Sequence, residues 1–92
     1  PEIDFIEADS NHVRVHTRAG THPLRMTLAA LEDQLDPSQF LRISRSAIVR
    51  LDRIVELEPL FHGEYMIRLH GGTKLTSGRT YRDRVRSTLG IA

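Results

Sequence analysis

The most informative segment of this sequence is Phe40-Leu41-Arg42-Ile43-Ser44-Arg45-Ser46-Ala47-Ile48-Val49. Apolar residues flank its central triplet, Ser44-Arg45-Ser46, and this pattern predicts a basic polar connection held on a packed β framework. Serine hydroxyls and an arginine fork together suit phosphate groups and the edges of bases. The triplet is also typical of an ordinary polar turn, which the segment taken alone slightly favours.

Strand patterns lie on both sides of this segment. Residues 3–8 are short, apolar-rich and followed by the turn formers Asp9-Ser10-Asn11. Residues 12–18 alternate, with Val13, Val15 and Thr17 on the packed side and the histidines and arginines on the solvated side. Further strands are predicted at residues 21–26, 40–43, 54–60, 65–70 and 74–77, with a hairpin turn at residues 70–73.

The first helical segment follows the third predicted strand. Leu28, Leu31 and Leu35 recur at spacings of three and four, and Thr27 can cap the helix start. The pair Asp36-Pro37 ends the run. Residues 27–35 are therefore expected to form a helix of two to three turns that lays leucines on a sheet.

A second helical segment closes the chain. Thr80 and Asp83 have the spacing of a capping box, and Gly90 is a natural stop. The apolar stripe of this helix is formed by Tyr81, Val85 and Leu89. With the strands above, the sequence predicts a mainly β fold, a small antiparallel β domain of short strands and hairpins with two short helices.

Length and composition agree with this fold class. The chain has 92 residues, 39% hydrophobic and 27% charged, which is enough for a modest core in a single domain spanning residues 1–92. It has no cysteine, which excludes disulfides and thiolate metal sites, and no apolar run near the roughly 20 residues of a membrane helix. The first residue is Pro1 rather than methionine, so we expect a cytoplasmic fragment of a longer protein, which could itself be membrane-anchored.

Charge is distributed unevenly along the chain. Up to residue 36, three arginines face seven carboxylates, a net charge of −4, whereas the remainder carries ten basic and five acidic residues, a net charge of +5. Nearly all of the basic residues are arginine, which suits bidentate pairing with phosphate or guanine. A salt-bridged solvated face would have the same composition, so charge alone leaves both interpretations open.

The five histidines do not indicate a metal or catalytic site. His12 and His16 are four residues apart, which on a strand is roughly 13 Å and too far to share one ion. The other three histidines have no ligand spacing, and neither a Gly-x-Ser-x-Gly elbow nor a phosphate-binding glycine loop is present. We therefore expect no metal, no cofactor and no enzymatic activity.

The segment Ser77-Gly78-Arg79-Thr80-Tyr81-Arg82 is a second basic polar connection. With Thr80 as the helix cap, Arg79 lies on the preceding loop and Arg82 in the first turn, where a cation opposes the helix dipole. A phosphate at that helix start would reverse the penalty. Such a local conflict is expected at a functional site.

Taken in order, these motifs resemble the LytTR family, the mainly β DNA-binding domains of many bacterial response regulators. The resemblance covers nearly the whole chain. It is carried by Phe5-Ile6-Glu7-Ala8 before the basic-faced strand, by Thr27-Leu28 with Leu31 and Leu35, by residues 40–49, and by the hairpin into Ser77-Gly78-Arg79-Thr80-Tyr81. It implies DNA binding without a recognition helix, in which loops enter successive major grooves and contact the minor groove between them.

The resemblance also implies roles for individual residues. Arg79 and His12 would contact bases in the two major grooves, and Arg45 would make the intervening contact, although the family commonly has a shorter polar residue there. The residues expected to contact the DNA backbone are Asn11, Arg42, Ser44, Ser46, Thr80 and Arg82. The implied partner is double-stranded DNA with paired direct repeats, with dimerisation on DNA as one option and a receiver or membrane sensor preceding the chain.

Two other functions fit the same residues. A degenerate member of the family could use the same sheet edges and loops to bind a protein partner, although the arginine clusters argue against this. RNA recognition is disfavoured because only 5% of the residues are aromatic and no stacking platform is evident.

Overall fold

The structure of the protein, a computed structural model, describes residues 2–91. Its helices are α1 (Leu28–Glu32) and α2 (Arg82–Leu89), and short 3-10 turns lie at Leu51–Arg53, Phe61–Gly63 and Arg79–Tyr81. The strands are β1 (Ile3–Asp9), β2 (His12–Thr17), β3 (Gly20–Leu24), β4 (Phe40–Ser44), β5 (Ala47–Arg50), β6 (Ile54–Pro59), β7 (Tyr65–Leu69) and β8 (Lys74–Thr76). The predicted mainly β, antiparallel fold with short helices is confirmed.

The larger sheet contains five strands in the order β3-β2-β1-β5-β4, with antiparallel neighbours throughout. The β1–β2 hairpin turns at Ser10 and Asn11, and Ser10 has a positive φ of 56°. The β4–β5 hairpin returns to β1 and places Ile48 opposite Ile6. Because each hairpin is local in sequence, the pairing of β1 with β5 is the contact that joins them into one sheet.

The larger sheet is covered on both faces, since alternate residues of a strand point to opposite sides. Ile48 belongs to one core, in which Leu28 and Leu31 of α1 are buried, whereas the next residue, Val49, packs on the opposite face. There the second sheet, β6-β7-β8, and α2 complete the other core, to which Val85 contributes. The apolar triplet after the polar connection therefore serves two cores at once.

The first helix is shorter than predicted. Thr27 caps α1 as expected, since its Oγ1 accepts a hydrogen bond from the Ala30 amide at 3.0 Å. After Glu32, however, the amides of Gln34 and Leu35 donate to carbonyls three residues back, so the coil tightens and the regular helix has five residues. The prediction of a helix of two to three turns over residues 27–35 is therefore wrong.

The predicted capping box at the second helix does not form. Thr80 lies inside the 3-10 turn Arg79–Tyr81, and α2 begins only at Arg82 without a side-chain cap. The amide of Tyr81 donates to Gly78 at 3.0 Å, so the chain is already coiled at Thr80 and lacks the extended backbone of a cap. The stop at Gly90 is confirmed, with φ of 69°.

The solvated face predicted for residues 12–18 contains one exception. His12 and Arg14 are exposed as expected, but the His16 ring stacks on Phe5 at a centroid distance of 4.1 Å. Its Nε2 lies 2.9 Å from Oε1 of Glu7. His16 is therefore a structural residue of the β1–β2 pair.

Candidate nucleic-acid interface

Three polar connections lie at one end of the larger sheet. β1 is antiparallel to both β2 and β5, so its C-terminal end lies beside the β1–β2 turn and beside the start of β5. The Ala8 amide donates to the Ser46 carbonyl at 2.9 Å, which joins the first two connections. The Gly78 amide donates to the Ile43 carbonyl at 2.8 Å, which brings the third connection against β4.

The β1–β2 turn presents Asn11 and His12 to solvent. Ser10 precedes them in the left-handed region of φ, and the backbone of Asp9 lies opposite that of His12 in the β1–β2 register. Within residues 2–91, the side chains of Asn11 and His12 make no hydrogen bond or ion pair. Their polar atoms are therefore available to a ligand.

The β4–β5 turn is organised from inside by Arg42. Its Nε donates to the Ser44 carbonyl and its Nη2 to the Arg45 carbonyl, both at 2.9 Å. The Ser44 hydroxyl accepts from the Ser46 amide at 3.1 Å and lies 3.3 Å from the Ser46 hydroxyl. One guanidinium and one hydroxyl thus shape the turn, and the exposed Arg45 side chain projects from it.

Arg42 is itself anchored by α1. Its Nη1 donates to Oε1 of Glu32 at 3.0 Å, and its side chain is only 14% exposed. The second carboxylate oxygen of Glu32 accepts from Arg84 of α2 at 3.2 Å. Both guanidinium groups lie over the Tyr81 ring, 5.9 Å and 5.3 Å from its centroid. The arrangement fits a positioning role for Arg42 better than the predicted phosphate contact.

The third connection is fixed by a buried serine. Ser77 is 1% exposed, its Oγ accepts from the Tyr65 amide at 3.0 Å, and its own amide donates to the Tyr65 carbonyl at 2.9 Å. Gly78 then packs on β4, where an added Cβ would lie 3.7 Å from the Cβ of Ser44. These contacts hold the start of the 3-10 turn, so that Arg79 and Thr80 are exposed.

Arg82 lies in the first turn of α2 as predicted, at the rim of a shallow depression. Its Nε is 3.8 Å from Oδ1 of Asp83, whose side chain is 97% exposed, so this ion pair is weak. The depression has a volume of about 290 Å³ and is lined by His62, Arg79, Thr80, Arg82 and Asp83. It is cationic on balance, which suits an anion.

The remaining predicted exclusions concern metals and membranes. In the part of the chain that the structure describes, no group of three or more His, Cys, Asp or Glu residues could hold a metal ion. Across residues 2–91, no helix has the length and apolar character needed to cross a membrane.

Sequence reasoning missed Glu32, Arg84 and the Phe61–Gly63 turn. Glu32 and Arg84 are 52 residues apart, and no local periodicity indicates that they meet. The sequence offers one weak indication, which is that Glu32 is an acidic residue directly after Leu31 of the predicted apolar stripe. The structure shows that this position brings Glu32 to Arg42 of the basic segment. His62 has no ligand spacing to another histidine, so the sequence alone gives no reason to single it out.

Comparison with known proteins gives a consistent picture. The family described as LytTr DNA-binding domain matches residues 1–90. The sensory transduction protein LytT of Bacillus subtilis is 30% identical over 90 residues, which cover 98% of this chain and 37% of that protein. The CO-responsive transcriptional regulator RcoM of Rhodospirillum rubrum is 38% identical over 90 residues, covering 97% and 38% respectively.

A shorter match and a solved structure complete the comparison. The transcriptional regulatory protein YpdB of Escherichia coli K12 is 35% identical over 68 residues, 74% of this chain and 28% of that protein. The chain thus spans less than two fifths of the length of these relatives. A solved LytTr DNA-binding domain from Bacillus cereus has the same fold, with a TM-score of 0.91 at 24% identity over 97% of this chain and 82% of that one.

Proposed function

This chain belongs to the LytTR family of DNA-binding domains, and on that premise we propose that it recognises a specific sequence in double-stranded DNA through loops. In this proposal the whole protein is a bacterial transcription regulator, controlled by a receiver or sensor region outside this chain. The domain binds paired direct repeats, and pairing of two copies occurs on the DNA.

The observation that carries the proposal is the clustering of three polar connections at one end of the larger sheet. Each presents a side chain suited to base edges: His12 on the first, Arg45 on the second and Arg79 on the third. Arginine pairs with guanine through two parallel hydrogen bonds in the major groove. Phosphate contacts are assigned to Asn11, Ser44, Ser46, Thr80 and Arg82, and the Arg42 guanidinium positions the turn that carries Arg45.

The dimensions of the molecule support contact with more than one groove. Its principal extents are 35 × 24 × 22 Å, and one turn of B-DNA advances about 34–36 Å. Neither helix is suited to read a groove as a recognition helix. α1 has five residues with its leucines buried, and α2 buries Val85 and ties Arg84 to Glu32.

Selection of sites from a random pool of duplex DNA at physiological salt tests the proposal. We expect a short motif, recovered as spaced direct repeats. On that motif Arg79→Ala should cost about 1–3 kcal/mol, a loss of about 5–150-fold, and much less on random duplex. Arg68→Ala is the matched control, because Arg68 is paired with Glu56 on the smaller sheet at 2.8 Å.

Two results would contradict the proposal. An equal loss on both duplexes would mean that Arg79 contacts only phosphate. If no motif is recovered and binding stays near the nonspecific range of about 10⁻⁴–10⁻⁶ M, the chain is better explained as a protein-interaction module. Competition with single-stranded RNA tests the remaining alternative, RNA recognition, in which the RNA would displace the duplex.

A further inference from the structure

We propose that the Phe61–Gly63 turn between β6 and β7 is a further DNA contact that extends the interface. In this arrangement the His62 imidazole donates a hydrogen bond to a backbone phosphate held by Arg82, next to the base contacted by Arg79. The Phe61 ring lies against the sugar of an adjacent nucleotide. The inference rests on the proposed function, because the same duplex must already occupy the three connections described above.

The placement of the turn follows from the register of the smaller sheet. Ser77 is bonded to Tyr65, the first residue of β7, through its amide and its hydroxyl. The β6–β7 turn therefore lies at the same end of β7 as Arg79. At Gly63 an added Cβ would lie 2.8 Å from Cδ of Arg82, so the turn is in direct contact with the start of α2.

The chemistry of the depression favours a phosphate. His62 and Arg82 supply N–H donors, Thr80 supplies a hydroxyl, and Arg79 adds a positive charge to the lining. The carboxylate that also lines it, Asp83, is 97% exposed and only weakly paired with Arg82. Charge-assisted hydrogen bonds from such donors suit a phosphate oxygen.

Phe61 gives the turn an apolar tip. Phe61 is 87% exposed, the largest value among the exposed large apolar residues of the described chain, and Leu60 before it is 40% exposed. A large exposed aromatic beside a cationic depression matches a nucleic-acid backbone, where sugars alternate with phosphates. Burial of the ring against a sugar would remove it from water when DNA binds.

The chain offers a matched control at the other end of the same strand. His70 is an exposed histidine in the β7–β8 turn, far from Arg79 along β7. Glycine is the appropriate replacement at His62, because His62 has a φ of 65° that glycine adopts without strain. The test therefore compares His62→Gly, His70→Gly and Phe61→Ser on the selected duplex and on random duplex, after melting curves show each variant folded.

We expect His62→Gly to weaken binding about 3–10-fold on both duplexes, since a phosphate contact carries no sequence information. Phe61→Ser should weaken binding about 2–5-fold, and His70→Gly less than twofold. Combining His62→Gly with Arg82→Ala should cost less than the product of the two single losses, because both side chains hold one phosphate.

The outcomes separate this inference from the function on which it rests. Suppose that the parent prefers its motif over random duplex and that Arg79→Ala abolishes this preference. If His62→Gly and Phe61→Ser then bind DNA as tightly as the parent does, the turn does not contact DNA. An exposed Phe61 would then indicate a protein partner. If the parent prefers no duplex at all, the proposed function fails and this inference fails with it.

Discussion

Replacement of Glu32 by glutamine tests whether the β4–β5 turn is positioned from inside. The change keeps the shape of the side chain but removes the charge that anchors Arg42 at 3.0 Å and Arg84 at 3.2 Å. Hydrogen bonds to charged groups contribute about 1.5–3 kcal/mol when buried, and exposed ion pairs contribute about 0–1 kcal/mol. The Arg42 side chain is 14% exposed and the Arg84 side chain 52%, so the first pair dominates.

We therefore expect Glu32→Gln to lower the free energy of unfolding by about 1.5 kcal/mol, because the glutamine oxygen still accepts one hydrogen bond. For a domain of this size that corresponds to a Tm lower by roughly 6–12 °C. Binding should respond in opposite directions on the two kinds of DNA. Loss of a negative charge should raise the affinity for random duplex slightly. A less firmly held Arg42 should leave the Arg45 turn less ordered and so lower the affinity for the selected motif.

The assays are a melting curve and fluorescence anisotropy on both duplexes. Glu56→Gln is the matched control, because it makes the same charge change and breaks the 2.8 Å pair with Arg68 on the smaller sheet. The control should raise affinity for both duplexes slightly and change the free energy of unfolding by less than about 1 kcal/mol. If Glu32→Gln also raises both affinities, the positioning role of Arg42 is refuted.

Three further predictions concern the framework. Ser77→Ala should destabilise the fold by about 1–3 kcal/mol in urea unfolding, because the Tyr65 amide loses its buried acceptor; an unchanged midpoint would contradict this. Thr27→Ala should cost about 1 kcal/mol through loss of the α1 cap, whereas Thr27→Ser should restore most of it. The amide of Ser38, and to a lesser extent its hydroxyl, donate hydrogen bonds to Asp36 and lower the pKa of that carboxyl below its ordinary value of 3.8. These bonds therefore stabilise the folded state above pH 3.8, and their contribution is lost as the pH falls through the pKa of Asp36 in the folded protein. Ser38→Ala should raise that pKa part of the way back in an NMR titration, and an unchanged pKa would exclude the hydroxyl as a cause.

Local chemistry explains which sequence predictions were confirmed. The alternation of Val13 and Val15 predicts a strand with one buried face, and both are buried. Thr27 caps a helix and Gly90 ends one, since these roles depend only on residues within one turn. The capping box at Thr80 was wrong because contacts of Gly78 with a distant strand start the coil earlier.

The sequence by itself determined the strands, the Thr27 cap, the Gly90 stop and the polar character of the connections, because those properties arise from neighbouring residues. Only the tertiary structure decided which connections lie together and which arginines face solvent. Arg42 and Arg45 are three residues apart and identical in type, yet Arg42 turns inward to Glu32 while Arg45 stays exposed. That difference depends on a carboxylate from another element, and long-range contacts of this kind leave no periodic signal in the chain.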